Sequence, residues 1–221
     1  MRWVLLGVLL FGMVGVACAE GGSLFEQALE AKEAGEWEKA LDLFEASIAK
    51  GERVLDAFWE AGLLLMEKGR YRQAFELSER AIPVFVSHLA EHPEDHVNWF
   101  RLGYTYELRS SAGLRQEWQK AKECFMRALE ESPENSFYLL HFGYVLYKMG
   151  KEEEAESIFR GILAQQPMDF EVRYWLAVVL EAQGKYEEAA EELRFLKSHA
   201  PQGFRRLKDV ERLLKKVERK G

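Results

Sequence analysis

Residues Gly150–Phe159 read "GKEEEAESIF" and residues Gly184–Leu193 read "GKYEEAAEEL", 34 positions apart. The frame extends in both directions. Gly35, Gly69, Gly150 and Gly184 each precede an alanine five residues later, at Ala40, Ala74, Ala155 and Ala189. Ala121 stands 34 before Ala155, and Pro133, Pro167 and Pro201 follow at the same interval. A fixed period of this length is the mark of stacked supersecondary units, and five of them can be laid out.

Each unit has an upstream half built around a small residue: Ala28, Gly62, Gly103, Gly143 or Ala177. Bulky side chains sit four before it and three after it, as with Phe58 and Leu65 or Trp99 and Tyr106, which is the stripe of an amphipathic helix. The spacing predicts a helix, a glycine turn, a second helix and a proline that stops it. Small residues on the facing sides let the two helices approach closely. One such hairpin cannot bury its own faces, so neighbours must stack.

The stretch from Leu139 to Pro167, "LLHFGYVLYKMGKEEEAESIFRGILAQQP", resembles the tetratricopeptide repeat, a helix-turn-helix unit of 34 residues. The resemblance covers roughly 21–203 and implies an all-α fold: a right-handed superhelix, or α-solenoid, of about five hairpins. The repeats fall near 21–54, 55–95, 96–135, 136–169 and 170–203, within a repeat body over 20–203. Residues 204–221 form a basic capping helix, in which Phe204, Leu207, Val210, Leu214 and Val217 recur at helical spacing. The first repeat lacks the aromatic and the glycine of its first helix, and the fifth carries Arg173 where a large apolar residue is usual. Two repeats are longer than the rest, with the surplus falling in "IPVFVSHLAEHPED" near 83–95 and in "RSSAGLRQE" at 109–117.

The chain has 221 residues, 48% hydrophobic and 30% charged, as a soluble folded body requires. Its 30 Lys and Arg against 37 Asp and Glu give −7, which argues against nucleic acid as a partner. The start, "MRWVLLGVLLFGMVGVACAEGG", joins a positive residue, a short apolar run and small residues before Glu20. Residues 1–19 therefore read as a signal peptide cleaved after Ala19, sending the protein to the periplasm or cell envelope. Two alternatives stay open: acylation of Cys18 in a lipoprotein-like "GVAC" box, or an uncleaved N-terminal segment, either of which tethers the protein to a membrane. With Cys18 removed or acylated, Cys124 is the remaining thiol, so packing must supply the stability.

Catalytic signatures are lacking: no phosphate loop, no zinc-protease motif and no nucleophile elbow occurs in the sequence. A non-catalytic protein without cofactor is expected. His88 and His92, four apart, are weak metal candidates because the sequence fixes no third ligand.

The family resemblance implies that the first helix of each hairpin lines a concave groove. The groove positions hold Phe25, Trp59, Leu63, Met66, Phe100, Tyr104, Tyr144, Tyr147 and Tyr174, joined by Trp175 and the cationic candidates Arg101, His141 and Lys148. Aromatic rings offer large contact area at low entropy cost, so a protein or peptide partner is the implied ligand. The expectation is a protein-interaction scaffold or adaptor in a bacterial envelope. The alternative is a periplasmic carrier of a small hydrophobic ligand that works with a transporter.

Overall fold

The computed structural model describes residues 22–221. The signal segment 1–19 and the lipidation candidate Cys18 lie outside the described residues. These divide into two compact units that part between Ala57 and Phe58, inside one helix. Among the described residues there is no strand.

Unit 1 is the hairpin α1 (Leu24–Glu33) and α2 (Trp37–Lys50), followed by the first turn of α3 (Val54–Glu67). Ser23 caps α1 through a reciprocal capping box with Glu26. Ala28 and Ala40 are wholly buried, and the Phe25 and Phe44 rings meet at 5.7 Å.

Unit 2 carries α3 onward into α4 (Tyr71–Glu91), α5 (His96–Ser111), a short 3-10 turn at Arg115–Glu117, α6 (Trp118–Glu131), α7 (Ser136–Lys148), α8 (Glu152–Gln165), α9 (Phe170–Ala182), α10 (Tyr186–His199) and α11 (Leu207–Val217). Hairpins α5/α6, α7/α8 and α9/α10 stack in chain order, and α11 covers the face of α10 by burying Val210, Leu214 and Val217. The amphipathic C-terminal stripe thus closes the last repeat.

The turns follow one design. Gly35, Gly69, Gly150 and Gly184 all take left-handed φ between 69° and 79°, a region that costs glycine nothing. The next amide then reaches back to the first helix: Lys151 N–H donates to Leu146 O across 3.0 Å, and Lys185 to Leu180 across 2.9 Å.

The third repeat departs from it. The segment "RSSAGLRQE" is not simply a loop between helices, because α5 continues through Ser111 before Gly113, at φ 122°, turns the chain into the 3-10 segment. An internal ion pair closes the insertion: Arg109 Nε donates to Glu117 Oε2 at 2.7 Å, both side chains being only about a tenth exposed. The other long segment becomes helix, since α4 runs straight through Pro83 to Glu91, a length of 21 residues.

Close approach depends on the small residues. A Cβ on Gly103 would stand 2.8 Å from the Phe125 ring, and one on Gly143 2.7 Å from Phe159. Both rings come from the residue four after the frame alanine of the second helix. Cys124, beside Phe125, is buried, and burial pushes its thiol up to about 12, which leaves an inert packing residue rather than a nucleophile.

Candidate functional site

Three helix starts set the register of the aromatic face in unit 2. Asp95 accepts from the Asn98 amide, Asn135 from those of Phe137 and Tyr138, and Asp169 from those of Glu171 and Val172, all at 3.0–3.2 Å. Five residues after these caps come Phe100, Leu140 and Tyr174, and four further on Tyr104, Tyr144 and Val178. The caps therefore place equivalent residues on equivalent faces of α5, α7 and α9.

The first cluster surrounds Phe100. Its ring stacks on Tyr138 at 4.6 Å and 14°, and meets Phe137, His141, Phe125 and Trp59 at 5.0–6.1 Å. Trp59 and Tyr104 lie at its edge, 5.3 Å apart, and Tyr104 stands edge-on to His141 at 5.1 Å. Beneath this edge Glu107 is buried, and its Oε2 is hydrogen-bonded to His141 Nδ1 across 2.9 Å. Arg101 donates to Asn98 at 3.0 Å and lies over the Trp59 ring at 5.7 Å.

The second cluster joins α7, α9 and the approach to α11. Tyr144 and Trp175 are 4.6 Å apart, with Tyr147, Tyr174 and Trp118 within 6.4 Å of one ring or the other. Arg206 spreads over both Tyr174 and Trp175, at 4.8 and 4.7 Å, and bridges to Glu171 at 2.6 Å. Burial opposes the Glu171 charge, yet Arg206 and Arg205 hold its carboxyl below the usual range. Lys148 is exposed above Trp118 and Tyr144. Burial, with help from nearby carboxylates, raises the phenols of Tyr104, Tyr144 and Tyr147, so they stay protonated and can donate to a partner.

Three groove candidates are not surface groups. Phe25, Phe100 and Tyr174 are 3%, 3% and 8% exposed, because neighbouring side chains cover these rings: Phe44 and Arg53 over Phe25, Tyr138 and Phe137 over Phe100, Arg206 and Trp175 over Tyr174. Trp59, Leu63, Met66, Arg101, Tyr104, His141, Tyr144, Tyr147 and Trp175 are half-buried, each presenting part of its side chain. Phe25 belongs to unit 1 and the others to unit 2.

The His88 and His92 rings meet at 4.7 Å, tilted by 36°, but His88 is bound to Asp95 at 2.8 Å. Among the described residues no group of three His, Cys, Asp or Glu could hold a metal ion. Burial opposes the Asp95 charge, but the Asn98 amide and His88 keep its carboxyl below the ordinary range. Sequence reasoning missed the Glu107–His141 pair, whose members stand 34 apart. The insertion at 109–117 lies between them, so they hold different positions in the repeat frame and no sequence signal marks the pairing. It also missed Phe137, a large ring left 53% exposed beside His141.

On α11 and the residues just after it, the last repeat anchors the inner cations. Lys216 and Lys220 both reach Glu181, at 2.8 and 3.2 Å, while Lys208, Lys215 and Arg219 face solvent.

The sequence profile described as Tetratricopeptide repeat matches residues 25–85 and 140–201, more than half of the chain. The chain belongs to the tetratricopeptide repeat family. The interval that the profile skips, 86–139, contains the end of the prolonged α4 and the insertion closed by Arg109 and Glu117. The TPR repeat-containing protein MJ1428 of Methanocaldococcus jannaschii is 23% identical over 155 residues, which cover 70% of this chain. The chain spans 27% of the length of that relative. Among solved structures, the thermophilic TPR protein TTC0263 of Thermus thermophilus superposes with a TM-score of 0.63 at 18% identity, over 88% of this chain and 97% of that one. YrrB, described as a TPR protein with an unusual peptide-binding site, gives 0.58 at 20% identity, over 89% and 90%. At these identities the likeness is one of fold.

Proposed function

We propose that the protein is a non-catalytic scaffold that binds a peptide or helix of a partner protein along the aromatic face of α5, α7 and α9. The observation that carries this reading is the row of half-buried side chains Trp59, Tyr104, His141, Tyr144, Tyr147 and Trp175, which combines ring area with hydroxyl donors and the cations Arg101 and Lys148. Membership of the tetratricopeptide repeat family supports a protein or peptide ligand, as does a fold shared with a protein described as having a peptide-binding site. Rings held by their neighbours lose little freedom on binding, so much of the contact area translates into affinity. Export to a bacterial envelope, with a free mature form, a tether at Cys18 or an uncleaved N-terminal segment, rests on the N-terminal sequence alone.

Panning a displayed peptide library against the full chain tests the reading. Binders should contain aromatic or aliphatic anchors, and Tyr147→Ala combined with Lys148→Glu should weaken them by roughly tenfold or more, about 1.4 kcal/mol, without lowering helix content. Selected peptides that bind this double variant unchanged would move recognition away from the face.

A further inference from the structure

The second repeat breaks the packing rule of its neighbours. Four residues after the frame alanine stand Phe44, Phe125, Phe159 and Leu193 in the other repeats, but Ser78 in this one. The missing side chain leaves space. A Cβ on Gly62 meets nothing within 4 Å, in contrast to Gly103 and Gly143. A small cavity of about 30 Å³ lies there, and a larger one of about 320 Å³ adjoins it, the two sharing Ala74, Ser78 and Leu108. The larger opens between the C-terminal end of α3, the N-terminal half of α4 and the end of α5, with Met66, Phe75 and Ala112 among its walls. It lies at the turn edge of the hairpins, and Met66, one of the groove candidates, is a wall residue it shares with the aromatic face.

We propose that this cavity is a binding site for a small neutral apolar molecule. Its volume exceeds that of any single side chain; a dry apolar cavity of roughly 150 Å³ already accepts benzene, and ligand sites begin near about 300 Å³. The charge balance selects against ions. Arg109, the charged group of the wall, donates to Glu117 at 2.7 and 3.3 Å and to Ser78 Oγ at 3.2 Å, and its guanidinium lies 4.6 Å over the Phe75 ring. Ser78 in turn donates to Phe75 O at 2.5 Å. Three of the five Arg109 N–H donors are used and its charge is paired with Glu117, so the wall offers no net charge for an acid or an amine to pair with. Tyr71, 65% exposed at the rim, offers a ring to cover the mouth. The insertion of the third repeat gains a role here, since Arg109 and Glu117, its first and last residues, brace the wall.

The test is a fluorescence titration of the full chain with N-phenyl-1-naphthylamine, a neutral fluorophore that brightens in apolar surroundings. Saturable binding is expected, and Ser78→Phe, which restores the ring found in three of the other repeats, should weaken it by roughly tenfold or more. Should that variant not fold, Ala112→Trp obstructs the mouth from an exposed helix end and should weaken binding likewise. Tyr147→Ala with Lys148→Glu on the aromatic face should leave it unchanged, so this site and the proposed peptide surface can fail independently. Absence of saturable binding, or binding that survives the folded cavity variant, overturns the proposal.

Discussion

Hairpins α7/α8 and α3/α4 follow the same frame of small residue, left-handed glycine and alanine, and one side chain separates their interiors. In α7/α8 the Phe159 ring lies against Gly143 so closely that a single added methyl has no room. In α3/α4 the equivalent side chain is Ser78, and the space beside Gly62 stays open. The lesson is that the periodic pattern fixes where helices cross, whereas the residue between the pattern positions decides whether the crossing is solid or hollow. Stability and ligand capacity are thereby divided between two copies of one motif.

The largest expected effect comes from hollowing the solid hairpin. Phe159→Ala removes a side chain with no exposure at all, so it should cost about 3–5 kcal/mol, the lost transfer energy plus the cavity left behind. Thermal or denaturant unfolding followed by circular dichroism measures it. A cost below about 1 kcal/mol would mean that α7 and α8 close over the gap and that the contrast with α3/α4 is not one of packing.

A smaller effect of the opposite kind, overfilling, is expected at the same place. Gly143→Ala puts a Cβ within 2.7 Å of a ring that is itself walled in. The overpacking penalty of about 1–3 kcal/mol should outweigh the roughly 1 kcal/mol of helix propensity gained, leaving a net loss. If the variant melts higher than the parent, Phe159 has room to move and the hairpin is softer than its geometry implies.

Much of this was readable in advance, and the residues show why. The turn glycines and frame alanines are local requirements of backbone and close approach, so each copy declares itself in the sequence. The extension of α5 does not, because in "RSSAGLRQE" the turn formers Ser110, Ser111 and Gly113 stand among helix formers, and the pairing of Arg109 with Glu117 eight positions on is not written in the local pattern. The groove was read from the family resemblance, and Tyr104 and Tyr144, at positions that it names, are half-buried. The same rule misjudged Phe100, because the depth to which a ring sinks depends on the neighbouring hairpin, which supplies Tyr138 and His141 to Phe100. Nor did the period reveal Ser78, since the eye follows the residues that repeat rather than the one that does not.

The smallest expected effect reverses the sign of the Gly143 experiment. Gly62→Ala places the same methyl at the equivalent position of α3, where nothing lies within 4 Å and the backbone is ordinary helix. The alanine should relieve the entropic cost of a glycine in mid-helix without meeting a neighbour, so stability should rise by about 0.4–1 kcal/mol. In a chain of this length that corresponds to an upward shift of a few degrees in the melting midpoint, roughly 2–4 °C per kcal/mol. The methyl points into the small cavity shared with Ser78 and stays clear of the larger one, so binding of the neutral fluorophore should persist. A loss comparable to that of Gly143→Ala would show that α3 and α4 draw together in solution until Gly62 is as crowded as Gly143. In that event the open space beside Ser78 is filled by the protein itself, and the second repeat is solid like the fourth.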